Sequence, residues 1–143
     1  MKSSEIKEIK ILISNNPTVK KDMQAVCLAI IDYISVGPET KSHLNFDDLY
    51  RVSPVVDEDI FYDAVFYLTR PPVSVLSQEF EALDPTEGIY IEVPDKQEII
   101  EDMRKEEYYN PHTGDELTLE DFGIQVVTFF KPSERFMGGA TSA

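Results

Sequence analysis

Few residues in this 143-residue chain have the chemistry for a reactive site: two histidines, one cysteine and a surplus of carboxylates. His112 lies within EEYYNPHTGDELTLEDF, residues 106–122, among Glu106, Glu107 and Asp115. A histidine beside carboxylates has the ingredients of a general acid/base pair or of a metal centre. One histidine cannot hold zinc, however, and His43 falls in a separate loop with no ligand spacing that links the two. Asn110-Pro111-His112-Thr113-Gly114-Asp115 has instead the residues of a tight turn, in which Pro111 fixes one φ and Gly114 permits a positive one. His112 is therefore expected at a joint between elements. An enzymatic role would require the fold to bring Glu106 or Glu107 against it.

The other candidates have similarly plain readings. Cys27 stands between Met23 and Ile30 on the apolar face of a helical pattern, so it is expected as a small buried hydrophobe and not a nucleophile. The clusters Asp57-Glu58-Asp59 and Asp115-Glu116 do not alternate oxygen ligands around a glycine, as a calcium loop does; each reads as a helix start. There is no glycine-rich phosphate loop, G-x-S-x-G, H-E-x-x-H or C-x-x-C. The expectation is a non-enzymatic chain with no catalytic residue, no cofactor and no metal.

Charge is more informative. Residues 1–56 hold seven basic and seven acidic side chains, whereas residues 57–143 hold six and twenty, which is the whole net charge of −14. Such a surface repels phosphate backbones and attracts basic partners. It is equally what a solubilising surface looks like. No apolar run approaches the roughly 18 residues of a membrane span, and the charged start MKSSEIKEIK lacks the apolar core of a signal peptide. A lone cysteine suits a reducing compartment, so cytoplasmic localisation is expected.

The elements that must position these residues follow from spacing. Ile6, Ile9 and Ile13 predict a helix over 3–14, and Met23, Val26, Cys27, Ile30, Ile31 and Ile34 predict a second, stopped by Gly37-Pro38. Asn45 with Asp48 caps a short helix carrying Phe46, Leu49 and Tyr50. Asp57 opens another, with Ile60, Phe61, Ala64, Val65 and Leu68 on one face, closed by Pro71-Pro72. Val73–Leu83 and residues 89–93 (IYIEV) predict a hairpin around the turn DPTEG. Pro94-Asp95 with Glu98 starts a helix facing Ile99, Ile100 and Met103 to the core. Thr118 with Asp121 starts the next, where Leu119, Phe122, Val126 and Phe129 suit a helix although GIQVVTFF is rich in β-formers; helix is the preferred reading. The expectation is one acidic α+β domain over residues 1–137, with C-terminal helical elements and a flexible tail at 138–143.

Three helices followed by a hairpin is the order of a winged-helix domain, which residues 20–93 resemble in element order. The resemblance implies a winged-helix-like three-helix core, and in DNA-binding members the third helix enters the major groove with Arg, Lys, Asn or Gln at base edges. Here that helix is DEDIFYDAVFYLTR, with four acids and one arginine, and the hairpin carries Glu79, Glu81, Asp84, Glu87 and Glu92 with no base. Direct nucleic-acid binding is therefore not expected. What remains is a protein-docking module, an accessory or regulatory subunit of an intracellular, bacterial multiprotein system with a basic protein partner. The runner-up is an acidic inhibitor or immunity protein that blocks the basic groove of a nuclease or another nucleic-acid-binding protein. The candidate partner-binding residues are Asp57, Glu58, Asp59, Tyr62, Asp63, Phe66, Tyr67, Tyr108 and Tyr109. Their aromatic members either widen the core or form an interface, where tyrosine is enriched.

Overall fold

The computed structural model describes residues 1–138. Among them are seven α-helices and a three-stranded antiparallel sheet, an α+β fold with a helical C-terminal part. The chain divides into two compact units: Met1–Ser77 together with the segment from Phe130 onward, and Gln78–Phe129 between them.

The first unit is helical. Helix α1 (Ser3–Ser14) buries Ile9 and Ile13, and α2 (Lys21–Ser35) buries Val26, Cys27, Ile30, Ile31 and Ile34, the stripe read from spacing. Gly37 adopts a left-handed φ of 58°, a conformation natural to glycine, and Pro38 opens a 3₁₀ turn, Pro38–Thr40, so α2 cannot continue. Helix α3 (Phe46–Val52) starts with a reciprocal cap: Asp48 N–H donates to Asn45 Oδ1 at 2.8 Å, and Asn45 N–H donates to Asp48 Oδ2 at 3.0 Å. Helix α4 (Glu58–Tyr67) buries Phe61, Ala64 and Val65, and Leu68 just beyond it is buried too. These faces form one core, to which Phe130 and Phe136 also contribute. Burying each such aliphatic or aromatic side chain stabilises by roughly 1.5–3 kcal/mol.

The second unit is built on the sheet. Strand β1 (Leu76–Asp84) enters it at Gln78 and pairs antiparallel with β2 (Ile89–Glu92), with Ala82 opposite Ile91 and Glu81 opposite Glu92. Gly88 N–H donates to Asp84 O at 2.7 Å across the turn, and Asp84 Oδ1 accepts from Thr86 N–H at 2.9 Å. The strand order is β2-β1-β3, with β3 at Val126–Pro132. Helix α5 (Lys96–Arg104), capped by Asp95, and helix α6 (Leu119–Gln125), capped by Thr118, supply Ile99 and Phe122 to a small core with Phe80, Ala82, Val93 and Val126. The last helix, α7 (Glu134–Met137), returns to the first unit, where buried Ser133 donates from Oγ to Ser74 O at 2.6 Å.

Three expectations are corrected. Residues 118–130 are not one helix: α6 ends at Gln125 and β3 begins at Val126. The run Val126-Val127-Thr128-Phe129-Phe130 is β-branched and aromatic, and β1 offers it a ladder. Met103 does not face the core; it is 44% exposed on the last turn of α5, while Ile99 carries the burial. The first hairpin strand begins at Leu76, not at Val73. Of the tail expected at 138–143, Gly138 ends α7 with a left-handed φ of 73°, and the rest lies outside the described residues.

Candidate partner-binding surface

The expected docking residues fall into both units. Asp57, Glu58, Asp59 and Asp63 start and flank α4 in the first unit, all of them exposed. Tyr62 and Tyr67 on the same helix are half-buried, and Phe66 is 36% exposed. Tyr108 and Tyr109 belong to the second unit.

Packing assigns several of these rings to the interior. Phe46 stands edge-to-face against Tyr62 at 5.1 Å, Phe66 at 6.1 Å and Phe130 at 5.2 Å; Tyr62 and Tyr67 extend the core of the first unit, whereas Phe66 touches it from an exposed position. Tyr67 accepts a hydrogen bond from Asn16 Nδ2 at 3.2 Å. Tyr108 packs on Phe122 at 5.1 Å, whereas Tyr109 remains exposed.

One concave feature emerges where α3 meets α4. A recess of about 340 Å³ is lined by Phe46, Asp47, Tyr50, Glu58, Phe61 and Tyr62. The spacing within each helix explains its wall. Phe46 and Tyr50 are four apart on α3, Glu58 and Tyr62 are four apart on α4, and each pair therefore shares a face. Phe61 is buried and forms the base, while Tyr50 is 48% exposed at the rim. Tyr50 meets Phe61 at 5.1 Å and 84°, Tyr62 meets Phe46 at 5.1 Å and 88°, and Phe61 meets Tyr62 at 5.5 Å and 61°, so the four rings pack edge-to-face. Tyr62 donates its hydroxyl to Glu58 Oε1 at 3.1 Å. That hydrogen bond, followed by desolvation and the charges of Glu58 and Asp47, holds the Tyr62 phenol above its ordinary range. Both carboxylates therefore act on the same ring. Phe46, Asp47, Tyr50 and Phe61 were not among the sequence candidates for partner binding. For Phe46 and Tyr50 the spacing of four, which puts both on one helix face, was the available signal; Asp47 and Phe61 had none.

The His112 segment is a turn built around another residue. Asn110 is 1% exposed. Its Oδ1 accepts from His112 N–H at 2.9 Å and Thr113 N–H at 3.3 Å, and its Nδ2 donates to Leu83 O and Gln125 Oε1, both at 2.9 Å. Gly114, with a φ of 76°, donates its N–H to Asn110 O at 2.7 Å to close the turn. His112 itself is exposed, with Nε2 3.1 Å from Ile91 O, an arrangement that needs the proton on Nε2. Neither Glu106 nor Glu107 pairs with it. Among the described residues, no three His, Cys, Asp or Glu side chains gather into a possible metal site.

Cys27 is fully buried, and burial pushes its thiol up to about 12. Its Sγ lies 3.8 Å from Ala64 O. Two results are expected. The thiol should resist an aromatic disulfide reagent near neutral pH until denaturant exposes it; prompt labelling of native protein would contradict this burial. A thiol raised in the folded state binds a proton that the unfolded chain loses, so its contribution to stability is full below the ordinary value of 9.0 and is lost as pH rises toward about 12. Urea titrations at pH 8 and above, compared with a Cys27→Ala chain, isolate that slope.

No helix among the described residues is long and apolar enough to cross a membrane. The chain matches no known protein family, no curated protein and no solved structure.

Proposed function

We propose that the chain is a non-enzymatic docking module, an accessory or regulatory subunit of an intracellular, cytoplasmic multiprotein system, and that its partner is a basic protein. The observation that carries this reading is the placement of charge. The second unit, Gln78–Phe129, holds fifteen acidic and three basic side chains, a balance of −12 out of the chain's −14. None of its carboxylates is buried, so the field acts outward. Strand β2 in that unit exposes Ile89, Tyr90 and Ile91 beside Glu92, which gives a partner apolar contact as well as charge. On this reading the winged-helix-like order of residues 20–93 serves protein docking.

Purification of the tagged chain from its native host tests the proposal. The expected result is a co-eluting chain with a basic surface, released as salt rises from low to moderate concentration. Recovery only as a free monomer under several growth conditions would defeat it.

A second reading draws on the same charge: carboxylates can stand in for phosphates, as in an inhibitor or immunity protein seated in a nuclease groove. A partner that binds nucleic acid, and releases this chain when nucleic acid is added, distinguishes it. In either case the isolated chain should not retard a mixed-sequence duplex at micromolar protein and about 0.15 M salt. Its exposed α4 acids oppose the counterion release that drives such binding. A salt-sensitive shift would overturn this expectation.

A further inference from the structure

We propose that the recess between α3 and α4 receives the guanidinium of an arginine side chain supplied by the partner. Four aromatic rings line the recess, packed edge-to-face at 61° to 88°, and the base is the buried Phe61. Ring faces attract cations through their quadrupole, and arginine does so more often than lysine because its planar group also stacks. Asp47 and Glu58 supply the compensating charge, and Glu58 is held in place by the Tyr62 hydroxyl. Carboxylates match the donor fork of guanidinium, so rings and acids together select a flat, delocalised cation over a compact one. Among the described residues lining the recess there is no basic side chain to fill this role from within. At about 340 Å³ the recess has ample room to admit a guanidinium. The same unit already seats a cation on a ring: Lys41 Nζ lies 4.4 Å from the Tyr33 ring centroid.

The inference rests on the basic-partner reading for the source of the arginine, but the recess can be tested alone. The isotopically labelled full chain is titrated with a blocked Gly-Arg-Gly peptide and followed by NMR. The expected shifts cluster at Asp47, Tyr50, Glu58 and Tyr62. The citrulline peptide, the same shape without charge, should bind at least about tenfold more weakly, a difference within reach of one charge-assisted hydrogen bond. The lysine peptide should also be weaker. Asp47→Asn with Glu58→Gln should weaken binding by a similar factor, and Tyr50→Leu should weaken it while Tyr50→Phe does not. Tyr50 lies at the exposed rim, so these two variants are not expected to disturb folding. Equal binding of arginine, lysine and citrulline peptides, shifts centred elsewhere, or none at millimolar peptide would overturn the proposal. If the peptide fails while a basic partner is recovered from the host, the recess assignment falls alone. If it binds while no basic partner is recovered, the partner reading falls alone.

Discussion

Replacing Phe130 with alanine is expected to lower unfolding free energy by about 3–5 kcal/mol, the range for truncating a buried aromatic side chain. Phe130 is fully buried, and its ring meets Phe46 at 5.2 Å and Phe66 at 6.1 Å. Its backbone also exchanges hydrogen bonds with Leu44, at 2.7 and 2.8 Å. The side chain thus closes the aromatic layer of the first unit from the end of β3. Leu44, Phe46 and Phe66 cannot collapse into the space without breaking that pairing, so a cavity remains. Urea denaturation followed by circular dichroism measures the loss. A decrease below about 1 kcal/mol would mean that the site relaxes and that Phe130 does not anchor the layer.

The second large effect belongs to Asn110. Asn110→Leu removes a hub that satisfies two backbone donors and one backbone carbonyl, and it puts an apolar side chain where polar groups converge. Partnerless buried groups cost about 1–3 kcal/mol each, and those near the turn surface recover part of this from water. A net loss of about 2–3 kcal/mol is expected, with faster amide exchange at His112 and Thr113. His112→Ala should change stability by no more than about 0.5 kcal/mol, as an exposed substitution away from core and cap. The reverse order of these two variants would show that the histidine, and not the asparagine, organises the turn.

How far these features were legible depends on whether their cause is local. The core face of α2 was readable because Val26, Cys27, Ile30, Ile31 and Ile34 repeat at helical spacing, and burial follows that stripe. The caps at Asn45, Asp95 and Thr118 were readable because each acts on a residue three positions away. The change at Val126 was not. Leu119, Phe122, Val126 and Phe129 fit a helical period, and alternation from Val126 fits a strand; only a strand partner decides, and β1 is more than forty residues away in sequence. The candidate recess was half legible. Glu58 and Tyr62 were already singled out, but Phe46 and Tyr50 read only as residues of a capped short helix, Phe61 only as part of the apolar face of α4, and Asp47 was not singled out at all. What joins them is the meeting of two helices, a tertiary event without a local signature. The resemblance to a winged helix rested on element order, which carries no information about which residues approach one another.

The interruption of the first unit by the second also imposes an order on synthesis. A nascent chain that has emerged through Phe129 contains every residue of the second unit, yet still lacks Phe130 and Phe136 from the core of the first. The helices made earliest therefore wait longest for their last packing partners, with Leu44 and Phe46 unsealed until the ribosome has delivered β3 to its end.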